Sequence, residues 1–126
     1  MLRSALIVGT GGFIGSIARY LLQVGIEKGL TSTFPFGTFI ANISGSFVIG
    51  MVYAISEKGN LMSPEWRLFF AVGLCGGYTT FSAFSYNNLN LLKENALIYF
   101  FLNTGGSLFF GILAVYLGIV ITRFLL

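Results

Sequence analysis

The 126-residue chain has no histidine, a single cysteine (Cys75), two prolines and charge on only 9% of its residues. One cysteine excludes a disulfide scaffold. Without histidine, a zinc or catalytic metal site of the usual type has no ligand set. A soluble domain carries about 25% charged residues, and seven Lys or Arg with four Glu cannot clothe a domain of this size. Disorder is excluded by the opposite feature, a hydrophobic content of 56%. Nucleic acid is excluded as a partner because Arg3, Arg19, Lys28, Lys58, Arg67, Lys93 and Arg123 are scattered singly and form no basic stripe. They read instead as interfacial anchors at helix ends. No nucleophile–base pair or metal set is present, so the chain is not expected to be an enzyme.

What remains is an integral membrane protein, in keeping with 17 glycines and 14 phenylalanines. A spanning helix needs roughly 20 apolar residues, and the charges cut the chain into such lengths. Four spans are expected, at about residues 2–24, 34–55, 67–92 and 96–125, forming a single four-helix transmembrane domain over 1–126. Their length and lack of alternation favour helices over barrel strands. The connections are short: Glu27-Lys28-Gly29 to Thr33-Phe34-Pro35, Glu57-Lys58-Gly59-Asn60 to Ser63-Pro64-Glu65, and Lys93-Glu94-Asn95. All four acids lie in them.

Two features of the first span invite other readings. Met1-Leu2-Arg3 followed by Ser16-Ile17-Ala18 resembles a signal peptide, but three more spans follow and Gly9, Gly11, Gly12 and Gly15 make a poor signal core. Those glycines read better as a close-packing face, with Gly11 and Gly15 in small-xxx-small spacing. The same glycines imitate a dinucleotide-binding turn, which needs a βαβ unit that membrane spans do not supply.

Polar residues inside spans are expensive and face protein or water. Thr38, Asn42 and Ser46 form one helical stripe in span two, and Tyr99, Asn103 and Ser107 form another in span four, with Thr104 beside it. Interhelical glue, at about 0.6 kcal/mol per bond, is the plainer explanation of any one of them; two stripes in one small protein point to a conduit. No carboxylate lies within a span, whereas cation transporters commonly keep one there. The small multidrug exporters resemble this chain in size but carry a glutamate in the first span, so an anion or neutral solute fits better. In span three, Gly76-Gly77 and Thr79-Thr80 are poor helix formers. A break there would expose backbone groups able to bind ions; a ligand-free packing kink is the alternative. Phe81 and Phe84 share a face at i, i+3, and a ring edge is electropositive enough to meet an anion.

Gly76-Gly77-Tyr78-Thr79-Thr80-Phe81-Ser82-Ala83-Phe84-Ser85 resembles the signature of the Fluc (CrcB) fluoride channels. So do Pro35-Phe36-Gly37-Thr38-Phe39-Ile40-Ala41-Asn42 with Ser44-Gly45-Ser46, and Gly11-Gly12-Phe13-Ile14-Gly15 through Ala18-Arg19-Tyr20. The likeness covers essentially the whole chain. It implies an all-α membrane protein of four transmembrane helices per subunit with the third broken, assembled as an antiparallel dual-topology homodimer in the cell (inner) membrane. It implies passive export of fluoride from the cytoplasm through two antiparallel pores. By position, Asn42 is the pore donor of helix two, Phe81 and Phe84 are rings that fluoride passes edge-on, and Ser107 belongs to a polar track with Tyr99 near its end. Thr38 and Thr80 are further pore candidates. Arg19 matches a basic residue at the end of helix one, near the vestibule. Gly76 and Thr79 would give backbone carbonyls, from both subunits, to a structural Na⁺ at the dimer interface. Asn103 departs from the serine some members resemble there, though Asn still donates. A cationic-compound exporter and a non-transporting membrane subunit are the alternative functions.

With four spans, Arg3, Lys58, Arg67 and Arg123 fall on one side of the membrane, and Arg19, Lys28 and Lys93 on the other. Four against three barely biases orientation under the positive-inside rule. Reporters fused to the C-terminus are therefore expected to signal from both sides; signal from one side alone would contradict two-way insertion.

Overall fold

The computed structural model describes residues 1–29, 33–59 and 61–126. The linker positions Leu30, Thr31, Ser32 and Asn60 lie outside the described residues. Within them the regular elements are all helical: α1 (Leu2–Glu27), α2 (Phe36–Ser56), α3 (Pro64–Arg67), a π-helical stretch (Leu68–Leu74), α4 (Cys75–Tyr78), α5 (Phe81–Lys93) and α6 (Leu97–Leu125). Among the described residues, four helical spans are long and apolar enough to cross a membrane: Leu2–Glu27, Phe36–Ser56, Pro64–Lys93 and Leu97–Leu125. Their ends differ from the expected ones by up to three residues, as frayed helix ends commonly do.

Local chemistry explains the ends. At the third span Ser63 is the N-cap, its Oγ accepting from the Trp66 N–H at 3.3 Å, with Pro64 in the first turn and Glu65 beside it. At the far end of that span Asn95 takes φ +57°, a conformation Asn tolerates better than most. The Ala96 N–H then reaches the Leu91 carbonyl at 2.9 Å, and the Asn95 N–H reaches Leu92 at 3.2 Å. This Schellman closure satisfies the last carbonyls and turns the chain straight into α6. Some hydroxyls inside the spans are satisfied on their own helix: Thr10 donates to the Leu6 carbonyl at 2.8 Å and Ser56 to that of Val52 at 2.8 Å. Glu57 and Arg123 pair at 2.8 Å at the shared end of α2 and α6.

The third span is the irregular one. Its first half is part π-helix, and at Thr79 (φ −114°, ψ 133°) and Thr80 (φ −132°, ψ 136°) the backbone is fully extended before α5 begins. The break expected around Gly76 to Thr80 therefore falls on the two threonines, while Gly76 and Gly77 remain helical. β-branched residues favour extended backbone, and Thr80 can cap the helix that follows.

Two close helix contacts frame this span. α1 lies against the π-helical stretch and α4, and α2 lies along α6. Without hydrophobic drive in lipid, such contacts depend on small residues that let backbones approach. Gly11 and Gly15 are buried, as their spacing predicts. A Cβ on Gly11 would sit 2.9 Å from the Leu74 amide nitrogen, and one on Gly77 2.6 Å from the Gly12 carbonyl oxygen. On the other pair, a Cβ on Gly118 would collide with the Phe47 carbonyl and one on Gly50 with that of Val115. Nothing lies within 4 Å of the corresponding point on Gly9.

Gly77→Ala is therefore expected to destabilise the protein by about 1–3 kcal/mol, the usual cost of overpacking, and Gly9→Ala to leave it unchanged. Thermal melts in detergent check this; equal losses in the two variants would contradict the close-contact assignment.

Candidate functional site

The break gathers chemistry from three spans. A cavity of about 300 Å³ is lined by Asn42 and Ser46 of α2, Thr79 and Thr80 of the break, Phe81 and Phe84 of α5, and Ser107 and Leu108 of α6. Asn42 and Ser46 reach it because they are one turn apart on α2. Phe81 and Phe84 face each other with ring centroids 6.1 Å apart and planes tilted by 42°. Phe81 is 81% exposed on the protomer, so the cavity opens on its surface.

The electrostatics favour an anion. α5 starts at this cavity, and the N-terminus of a helix presents unsatisfied N–H groups and a partial positive charge. Thr80 occupies one of them, its Oγ1 accepting from the Ala83 N–H at 3.3 Å. The same oxygen accepts from Arg19 Nη1 at 3.0 Å. Arg19 is half-buried. α1 continues eight residues beyond it to Glu27, so Arg19 sits within the helix and reaches the break, where the resemblance implied a helix end. The Ser107 hydroxyl is buried at the cavity with no hydrogen-bond partner among the described residues. It is a donor held ready without a local acceptor.

Next to this cavity, a second of about 210 Å³ is lined by Gly45, Ser46, Ile49, Ala71, Cys75, Gly76 and Thr79. Thr79 closes α4, with both its N–H (3.0 Å) and its hydroxyl (3.1 Å) donating to the Cys75 carbonyl. Gly76 is exposed, with nothing within 4 Å of where a Cβ would lie. No group of three or more His, Cys, Asp or Glu able to hold a metal occurs among the described residues. Backbone carbonyls and the hydroxyls of Ser46 and Thr79 are the oxygens that this lining offers a cation.

The remaining predicted site residues lie elsewhere. Thr38 is buried a turn away from Asn42, its Oγ1 accepting from Asn87 Nδ2 at 2.6 Å and from Gln23 Nε2 at 3.3 Å. Asn103 is completely buried and donates to Asn88 Oδ1 at 2.8 Å. Tyr99 is at the start of α6, edge-on to Phe34 at 5.7 Å. Sequence reasoning missed Gln23, Asn87, Asn88 and the Ser44–Tyr78 hydroxyl pair at 2.8 Å. Two adjacent asparagines within an apolar span were the available signal for Asn87 and Asn88.

The chain is similar to known proteins over nearly its whole length. The model of the CrcB-like family, described as Camphor Resistance (CrcB), matches residues 6–119. A protein of Flavobacterium psychrophilum named "Fluoride-specific ion channel FluC" is 43% identical over 116 residues, covering 92% of this chain and 94% of that one. Proteins of the same name from Chlorobium luteolum (42% identical, 95% of this chain and 92% of that one) and Leptospira interrogans (49%, 78% and 77%) are similar.

The Thr80 hydroxyl carries both a helix cap and the Arg19 contact. Thr80→Val is expected to lower stability by about 1 kcal/mol, the worth of a cap, and Thr80→Ser to restore it. Melting temperatures of the two variants in detergent check this; equal losses would contradict the role of the hydroxyl.

Proposed function

The chain belongs to the CrcB-like family, and from that premise we propose that its surface cavity is half of a fluoride pathway completed by a second copy. The protein is a fluoride-specific ion channel of the multi-pass membrane class and not an enzyme. The observation that carries the pathway is the convergence of Asn42, Ser107 and the Phe81–Phe84 pair at the N-terminus of α5.

Fluoride is small and surrenders its water reluctantly. A pore must replace those waters with donors, yet bind loosely enough for the ion to leave. Asn42, Ser46, Ser107 and the threonine hydroxyls are neutral donors, and phenylalanine edges are weakly electropositive. Fluoride would pass from Asn42 along the Phe81 and Phe84 edges toward Ser107. The flow is passive, down the ion's own gradient. The highly exposed Phe81 supports a partner surface over it, and the 4:3 charge balance supports a partner of opposite orientation. Such a dual-topology homodimer would hold two antiparallel pores.

The resemblance also implies a structural Na⁺, and the residues fit it. Gly76 leaves its backbone unshielded, and the Thr79–Thr80 break frees carbonyls at the end of α4. The carbonyls of Gly76 and Thr79 from both copies would hold it at the dimer interface. Bound there, Na⁺ supplies positive charge that offsets converging carbonyl dipoles. An exporter of cationic compounds is not favoured, since Glu27, Glu57, Glu65 and Glu94 are all exposed at span ends.

Liposomes loaded with fluoride are expected to empty through the purified protein, and chloride-loaded ones to retain their ion. Phe81→Ile and Asn42→Ala are each expected to slow fluoride efflux about tenfold, equivalent to about 1.4 kcal/mol on the barrier, with the dimer intact on gel filtration. Equal chloride flux would refute selectivity, and undiminished fluoride flux in both variants would refute the pathway.

A further inference from the structure

α5 carries both phenylalanines yet is loosely tethered. An extended dipeptide separates it from α4, and its helix packing is principally on α6. Something must fix its rotation and its height along α6. Phe84 and Asn88 are one turn apart on α5, and Ser107 and Asn103 are one turn apart on α6. The two helices run antiparallel, so the levels match: Phe84 with Ser107 at the cavity, and Asn88 with Asn103 about 6 Å further on. At that second level Asn103 Nδ2 donates to Asn88 Oδ1 at 2.8 Å. Asn103 is fully buried and Asn88 is 9% exposed. Neither lines the cavity.

We infer that the Asn88–Asn103 pair is a positioning clamp that sets the register of α5 on α6, and so the placement of the Phe84 ring relative to the Ser107 hydroxyl. The inference rests on the fluoride-channel reading for its functional consequence. It removes Asn103 from the set of groups that meet the ion and assigns a role to Asn88, which has no place in the pathway itself. The physical reason is the asymmetry of buried hydrogen bonds. Taking one partner away leaves a buried amide unsatisfied at full desolvation cost, whereas replacing both with apolar groups of similar shape is close to neutral. Around α5 an unsatisfied Asn103 amide would be relieved by rotation or sliding of the helix, which moves both rings. The second amide atom of Asn103, Oδ1, is already buried without a partner among the described residues, so the Nδ2 bond is the one tie that side chain has to them.

A double-variant cycle with leucine, close to asparagine in shape, tests the clamp. Asn88→Leu and Asn103→Leu are each expected to slow fluoride efflux about tenfold, and the double variant to recover to within about threefold of the parent. In parallel, 4-fluorophenylalanine placed at position 84 reports ring position by its fluorine resonance without requiring flux. That resonance is expected to shift in both single variants and to return in the double one. An Asn103 that donated to the ion directly would give a different pattern: Asn88→Leu silent, and the double variant as slow as Asn103→Leu. Either of those results, or an unmoved resonance in Asn88→Leu, would overturn the clamp. If Asn88→Leu does not assemble, Asn88→Ala repeats the same comparison with less bulk. A parent protein with no fluoride flux would refute the channel reading, while the resonance would still decide the clamp.

Discussion

The structure depends on one costly act, the interruption of a membrane helix. In hydrocarbon each unsatisfied backbone group costs several kcal/mol, so non-helical backbone survives there only when buried in protein or lining a polar cavity. Thr79 and Thr80 are extended in the middle of the third span, and the neighbouring residues are arranged around that fact. Thr79 binds back to Cys75 twice, Thr80 caps α5, and Arg19 reaches from α1 to hold Thr80. The break creates two things at once: a helix N-terminus that favours an anion, and a helix C-terminus with free carbonyls that favour a cation. The two cavities beside it share Ser46 and Thr79 and lie on these two sides.

Such a break needs rigid surroundings, and they are supplied by backbone contact more than by side chains. Glycines on α1 meet those of the π-helical stretch and α4, while Gly50 and Gly118 seat α2 on α6. This fixes the first half of the third span and the α2–α6 pair as two walls. α5 hangs between the break and the Schellman turn at Asn95, held by polar ties: Thr80 to Arg19, Asn87 to Thr38, and Asn88 to Asn103. Lipid offers no groups to compete for these hydrogen bonds, so they can hold a helix that is otherwise lightly packed.

Much of this was legible in the residue order. Long uncharged runs bounded by lysines, arginines and glutamates mark the four spans, because membrane thickness demands a nearly fixed length. The Gly and Thr cluster marks the irregular third span, and Asn42, Phe81, Phe84, Thr80 and Ser107 do meet in one cavity. Helical spacing could not assign jobs within a stripe. Thr38, Asn42 and Ser46 share a face of α2, yet Thr38 is consumed by Gln23 and Asn87, whose arrival depends on how α1 and α5 pack. Asn103 and Ser107 divide in the same way, since Asn88 lies opposite only one of them. Polar periodicity identifies groups that must be satisfied; the partner that satisfies them is a tertiary fact.

The placement of Arg19 resolves a tension between attraction and release. A cation in direct contact with a monovalent anion at about 3 Å is worth roughly 5.5 kcal/mol at an effective dielectric constant near 20, and about half that at twice the distance. Arg19 bonds to the Thr80 hydroxyl at 3.0 Å and is absent from the cavity lining. An ion at that hydroxyl would therefore stand one oxygen away from the guanidinium, in the weaker range. The charge biases the cavity toward anions without lining it, and the groups that do line it are neutral hydroxyls, an amide and phenylalanine rings. A passive channel needs that separation, because the same charge placed one atom closer would turn a conduit into a binding site.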